Sequence, residues 1–119
     1  MDVQDWDKVP VERLTDKIRR QLVTGKNEMM ARVLLDKGAV VHRHSHESEQ
    51  ITYIIEGAMR LLIGEPPQEF VLKAGQFIVI PPNAPHSAEV LEDTVDIDFF
   101  SPIRQDWLDG ADTYFHSKD

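Results

Sequence analysis

Gly38-Ala39-Val40-Val41-His42-Arg43-His44-Ser45-His46-Glu47-Ser48-Glu49-Gln50-Ile51-Thr52-Tyr53-Ile54-Ile55-Glu56-Gly57 is the stretch on which the reading of this chain turns. In an extended segment alternate side chains share a face, so His42, His44, His46 and, past a short bend, Gln50 and Thr52 point one way while Glu49 points the other. Gly38 lies far enough upstream to turn the chain into this strand, and Glu56-Gly57 makes a tight turn into Ala58–Ile63. A second stretch, Gly75-Gln76-Phe77-Ile78-Val79-Ile80-Pro81-Pro82-Asn83-Ala84-Pro85-His86, reads as a buried strand running into a proline-stiffened loop. Asn83 tolerates left-handed backbone there, just before His86 is delivered. His44, His46, Gln50 and His86 are then four neutral donors that two hairpin regions could close around one divalent metal ion. Stiff loops favour such a site, because a ligand already held in place loses little entropy on coordination.

Outward from these stretches, Gly25, Gly38, Gly57, Gly64, Pro66-Pro67, Gly75, Pro81-Pro82, Pro85, Pro102 and Gly110 cut the chain into short pieces. The runs between them, Glu28–Leu35, Ile51–Ile55, Ala58–Ile63, Phe70–Leu72, Phe77–Ile80, His86–Leu91 and Thr94–Phe100, are rich in branched and aromatic residues. Many short strands at this spacing predict an all-β sandwich or barrel. Val11–Thr24 is ambiguous: Leu14, Ile18 and Leu22 match a helical period, while Thr15–Val23 also reads as an edge strand. Gln105–Gly110 predicts a short C-terminal helical turn whose Trp107 and Leu108 pack back on the body. A chain of 119 residues without internal repeats fits one domain, 1–119, with a C-terminal extension over 101–119.

The formal net charge is -8 and the cations are scattered, apart from Arg19-Arg20, so no basic stripe exists to neutralise a phosphate backbone. Nucleic acid is excluded as an expected partner. An anionic substrate would need local cations, a metal or placed arginines, and Arg60 and Arg104 are the candidates. With no cysteine, thiolate metal sites and disulfides are excluded. The beginning, Met1-Asp2-Val3-Gln4-Asp5-Trp6, lacks the cationic and apolar segments of a signal peptide, and the apolar runs are too short for a membrane span. The expectation is a soluble cytoplasmic protein with no membrane partner.

These motifs resemble the cupin superfamily. Its first motif, Gly-x5-His-x-His-x3-Glu-x6-Gly, is matched by Gly38, His44, His46 and Gly57, with Gln50 in the glutamate position; its second is matched by Gly75, Pro81 and His86, with Asn83 for the internal glycine and Val90 for the final asparagine. The motifs cover 38–57 and 75–90, and the resemblance implies a jelly-roll β-barrel with a metal inside. Gln for Glu leaves a divalent ion with its full charge, so it would polarise a bound carboxylate or carbonyl more strongly, at a cost in metal affinity. Oxygen and imidazole donors leave Zn, Ni, Fe, Mn and Co all open. A degenerate site, with Gln50 a hydrogen-bonding core residue, is the competing reading, and His42 reads as a bystander near the barrel mouth.

A third constellation is Asp96-Ile97-Asp98-Phe99-Phe100-Ser101-Pro102-Ile103-Arg104. Val95, Ile97 and Phe99 share one face of this strand and Asp96, Asp98 and Phe100 the other. Acids facing water would leave Phe100 oddly exposed; the alternative points Asp98 and Phe100 into the cavity and buries the branched face under a second sheet or a partner subunit. Arg104 could then cap the cavity mouth and bind a carboxylate bidentately. This ending, with Asp98, Phe100, Ser101, Pro102, Arg104, Asp106, Trp107 and Leu108, is similar to the KdgF-like cupins of pectin degradation, and Gln50 fits them too.

That resemblance implies metal-dependent ring opening of 4,5-unsaturated monouronates, left by pectate and alginate lyases, to linear keto sugar acids. It places the metal on His44, His46, Gln50 and His86, catalysis or substrate binding on Asp98 and Arg104, and Phe100 in the pocket lining; His42 stands where proline is expected. A cupin dioxygenase, a non-catalytic sugar-binding module and a generic sugar isomerase are the alternatives. A homodimer resembles the family norm, with the apolar N-terminal residues Trp6, Val9, Val11 and Leu14 as candidate contributors.

Overall fold

The computed structural model describes residues 1–110. After a short 3-10 turn at Trp6–Lys8 come ten strands: β1 Glu12–Arg13, β2 Ile18–Thr24, β3 Met29–Leu35, β4 Val40–His44, β5 Glu49–Glu56, β6 Ala58–Ile63, β7 Gln68–Lys73, β8 Phe77–Ile80, β9 His86–Val90 and β10 Thr94–Ser101. One helical turn, α1 Gln105–Asp109, follows. The strands form a six-stranded antiparallel sheet, β1-β2-β3-β10-β5-β8, packed on a four-stranded one, β4-β9-β6-β7. This is the all-β jelly-roll architecture that the motifs predict, and the helical turn forms where expected; Trp107 packs back on the body, but Leu108, on the other side of the turn, is exposed. Residues 111–119 of the expected C-terminal extension lie outside the described residues.

Alternation builds the core. Met29, Ala31, Val33 and Leu35 on β3, Ile54 on β5 and Phe100 on β10 face inward from one sheet; Met59 and Leu61 on β6, Leu72 on β7 and Ala88 and Val90 on β9 meet them from the other. Burial of these apolar side chains, at about 25 cal/mol per Å² removed from water, is the main force joining the sheets. Val11–Thr24 resolves as strand: β2 pairs with β3 along its whole length, Ile18 opposite Leu35 through Thr24 opposite Met29. Leu14 and Ile18 are buried in this core, so Leu14 is not available to a partner. Trp6 and Val9 are held by their carbonyls, which accept hydrogen bonds from Gln21 Nε2 at 2.8 and 2.9 Å.

Two turns depend on backbone that few residues tolerate. Gly57, between β5 and β6, has φ 93°, and a side-chain carbon there would collide with the Asp93 carbonyl and Thr94. Asn83 has φ 64°, the left-handed value expected of it, and its N–H donates to the His46 carbonyl at 2.8 Å. The proline loop thereby fixes the neighbouring histidine loop.

Candidate metal centre

His44, at the end of β4, lies directly across the ladder from His86, at the start of β9. His46 sits in the connection that follows β4, and Gln50 reaches over from β5 in the opposite sheet. The centre therefore bridges the two sheets at one end of the barrel. The ring centroids are 4.3 Å apart for His44–His86, 5.0 Å for His46–His86 and 5.7 Å for His44–His46. One nitrogen from each imidazole lies within 4.8 Å of the others.

Each imidazole is oriented by a backbone carbonyl two residues away. Nδ1 of His44 meets the His42 carbonyl at 2.8 Å, Nδ1 of His46 meets that of Ser48 at 3.0 Å, and Nδ1 of His86 meets that of Ala84 at 2.8 Å. A carbonyl only accepts, so Nδ1 carries the proton in all three rings and Nε2 keeps its lone pair, the tautomer a metal ligand needs. Burial holds the rings neutral: His44 is lowered to about 3 by burial, then by His86 and Arg104, and His46 to about 4 by burial, then by Arg104 and His86. Burial lowers His86 as well.

Two observations show that these donors fit a cation. His86 Nε2 is buried with no hydrogen-bond partner among the described residues. Gln50 Oε1 lies 3.0 Å from His46 Nε2, yet with the proton on Nδ1 both atoms are acceptors. The amide has no freedom to flip, because its Nε2 donates to Thr52 Oγ1 at 2.8 Å and toward Asp98 Oδ1 at 3.4 Å. Lone pairs converging on one point, with no proton among them, are what a divalent metal satisfies.

Asp98 shares this chamber. It is buried, and Thr52 Oγ1 donates to its Oδ1 at 2.8 Å. Its carboxyl is pushed up to about 6, chiefly by burial, against hydrogen bonds from Thr52, Asp96 and Gln50 and the charge of Arg104. The same network accounts for glutamine at position 50: its oxygen turns to the histidines and its nitrogen to Asp98, where a glutamate would set two carboxylates face to face. Phe100, the next residue on this face, is buried edge-on against His46 at 5.7 Å and Trp107 at 4.9 Å.

Arg104 is buried just before α1, with its guanidinium 4.7 Å from the Trp107 ring centre and 5.3 Å from that of Phe100. Its Nε and Nη2 donate to the Asp106 carboxylate at 2.9 and 2.7 Å. That edge is taken, so a bidentate grip on another carboxylate through it requires Asp106 to give way. Arg20 lies 4.4 Å from the centre of the same indole and pairs with Glu12. The indole thus packs against two guanidinium groups and closes the barrel mouth.

Together these side chains line a narrow cavity of about 50 Å³, walled by His44, Gln50, Thr52, His86, Asp96, Asp98, Arg104 and Trp107 over an apolar floor that includes Val33 and Met59. Three expectations fail. Phe100 does not line the cavity: it is buried behind it, packed between His46 and Trp107. Arg60 is not in the cavity: Met59 and Leu61 point inward, so Arg60 between them points out, where it pairs with Glu89 at 3.1 Å and Glu69 at 3.5 Å. His42 does not share the face of His44, because a bulge between Val41 and His44 sets two residues against one and sends His42 to an outer groove with Arg43 and Arg60. Asp96, Thr52 and Trp107 line the cavity, with Arg20 packed against Trp107, but none was among the expected site residues. Alternation alone put Asp96 beside Asp98; nothing local marks Arg20.

A Cupin domain profile matches residues 31–101. The chain is 37% identical to the pectin degradation protein KdgF of Dickeya dadantii over 106 residues, 86% of this chain and 94% of that protein. The structure is similar to that of KdgF from a Halomonas species (TM-score 0.79, 32% identity, 87% of this chain and 96% of that one). A RmlC-like cupin from Shewanella frigidimarina superposes with a TM-score of 0.81 at 28% identity, covering 87% of this chain and 93% of that one. With profile, sequence and structure in agreement over the residues that build the centre, the chain belongs to the cupin family and is a KdgF-like member of it.

Proposed function

We propose that this protein opens the ring of 4,5-unsaturated monouronates to linear keto sugar acids, using one divalent metal held by His44, His46, His86 and Gln50. The observation that carries this reading is a buried acid, Asp98, joined through Gln50 to a cluster of neutral donors inside one narrow chamber. Kinship to proteins named for pectin degradation supplies the substrate class.

The reaction needs few parts. The C1 hydroxyl loses its proton as the bond from C1 to the ring oxygen breaks, giving an aldehyde; the enolate left at C5 takes a proton at C4 and becomes a ketone. One proton leaves and one arrives, so no co-reactant is required. A bound divalent ion supplies Lewis-acid stabilisation of the negative charge that develops on oxygen. Asp98, poised near 6, is suited to accept the hydroxyl proton and return it at C4. Thr52 and Gln50 hold the carboxylate in place, and Arg104 at the mouth attracts the sugar's own carboxylate.

Purified protein incubated with lyase-generated unsaturated monouronate should consume the absorbance of the double bond, and a chelator should stop it. Unchanged absorbance, or oxygen consumption in its place, would overturn the reading.

We also infer a homodimer. The outer face of the six-stranded sheet carries registered apolar rows, Val23-Met30-Phe99-Ile51-Val79 and, beside it, Ile97-Tyr53-Phe77. Phe77 is 68% and Phe99 41% exposed, within one contiguous apolar patch of the kind that marks an interaction surface. A second copy burying these rows fits, and a monomer in sedimentation analysis would reject it. No helix among the described residues is long and apolar enough to cross a membrane; cytoplasmic uronate metabolism fits this reading.

A further inference from the structure

Asp96 has no part in the mechanism above, yet it is a carboxyl group buried on the cavity wall, 3% exposed. On β10 it sits two residues from Asp98 on the same face, and its ladder neighbours, Val33 on β3 and Ile54 on β5, are apolar and buried. No cation pairs with it among the described residues. Its side chain lies within hydrogen-bonding reach of that of Asp98, and its Oδ1 has no hydrogen-bond partner among the described residues.

Two carboxylates cannot hydrogen-bond to each other without a proton, since each then offers only acceptors. Asp98 already accepts from Thr52 and is stabilised by the charge of Arg104, so it is the better place for the negative charge. Asp96, surrounded by apolar side chains, is the better place for the proton. Burial, then the charge of Asp98, push Asp96 well above the usual carboxylate range.

We propose that Asp96 is a positioning residue: as a neutral acid it donates a hydrogen bond to Asp98, and with Thr52 it fixes which way the Asp98 carboxylate faces the cavity. Three donors, from Thr52, Gln50 and Asp96, then surround one carboxylate, which leaves it a single direction open to a reacting hydroxyl. The inference deepens the ring-opening reading and rests on it for the identity of the substrate; the hydrogen bond itself does not.

Two substitutions separate the roles. Asp96→Asn keeps a donor without an acidic proton, and Asp96→Val removes the donor at similar volume. Infrared spectra of the metal-loaded protein at neutral pH should show the band of a protonated buried carboxylic acid, absent in Asp96→Asn. The Asp98 carboxylate stretch should move in Asp96→Val and much less in Asp96→Asn. With unsaturated monouronate, Asp96→Val should lower kcat roughly ten- to a hundredfold with KM little changed, and Asp96→Asn should restore most of it. Absence of the protonated-acid band from the parent protein, or its persistence in Asp96→Asn, would overturn the proposal, as would equal loss of kcat in both variants. If the parent protein leaves the uronate intact, the activity reading fails, and the spectra alone decide the hydrogen bond.

Discussion

The histidine end of the chamber and its acid strand are built by opposite means. Each imidazole at the metal centre is oriented by a carbonyl two residues along the chain. Asp98 is oriented by Thr52 and Gln50, which are 46 and 48 residues away. The ligand end is thus a set of local geometries brought together by the ladder between β4 and β9. The acid end exists only once β10 has taken its place beside β5. A donor set that each loop largely preforms is expected to survive loss of the acid, whereas the acid's surroundings include Gln50, one of the proposed metal donors, and should respond to changes there.

The strongest way to break the comparison is to remove the acid. Asp98→Ala should cut turnover of unsaturated monouronate by roughly 10²–10⁴, the range general acid–base groups supply, while elemental analysis finds metal content at the parental level. Metal lost together with activity would mean the two ends are one unit.

The next test acts on the ligand end through pH. All three imidazoles are depressed in the folded protein, so the unfolded chain binds more protons wherever they are neutral when folded and charged when unfolded. The metal-free protein should therefore hold its full stability above pH 6.5 and lose it progressively as pH falls toward about 3. Asp98, raised to about 6, and Asp96, raised by burial and by Asp98, act in the opposite sense, two groups against three. Denaturant midpoints that rise on acidification across this window would contradict the neutral, buried histidines.

Gln50 joins the two ends, and Gln50→Glu sharpens the comparison. A carboxylate there should tighten metal binding and repel Asp98, so metal retention against chelator rises while turnover falls several-fold. Both quantities moving up together would show that the amide is not what keeps Asp98 in place. The smallest effect belongs to Arg60→Ala, which removes outward ion pairs and should change stability by at most about 1 kcal/mol and turnover not at all.

How much of this was legible in the sequence follows from the same contrast. The His44, His46, Gln50 and His86 cluster could be read because its spacing and its loops are local. His42 could not be placed, since a bulge shifts parity without a residue that announces it. Arg60 was misplaced although the parity of Met59 and Leu61 already sent it outward. β2 was ambiguous because a spacing of four residues, as in Leu14, Ile18 and Leu22, belongs to both the strand and the helix period. The position that would have settled it, Arg20, is a charged residue buried under Trp107, the opposite of what alternation looks for. Asp96 lay on the correct face, but only the burial of β10 between β3 and β5 turns two alternate acids into a proton-sharing pair.

β10 spends both of its sides: two carboxyl groups line the chamber with Phe100 buried beside them, and Val95, Ile97 and Phe99 form part of the apolar exterior. Deleting one residue near its start would slide the strand by one step and exchange the two sets. Acids would then stud the outer surface and aromatic and branched carbon would plug the barrel, an inside-out protein from a single lost codon. Substitutions can tune either side separately, but the count of residues in this strand is what keeps chemistry and assembly from trading places.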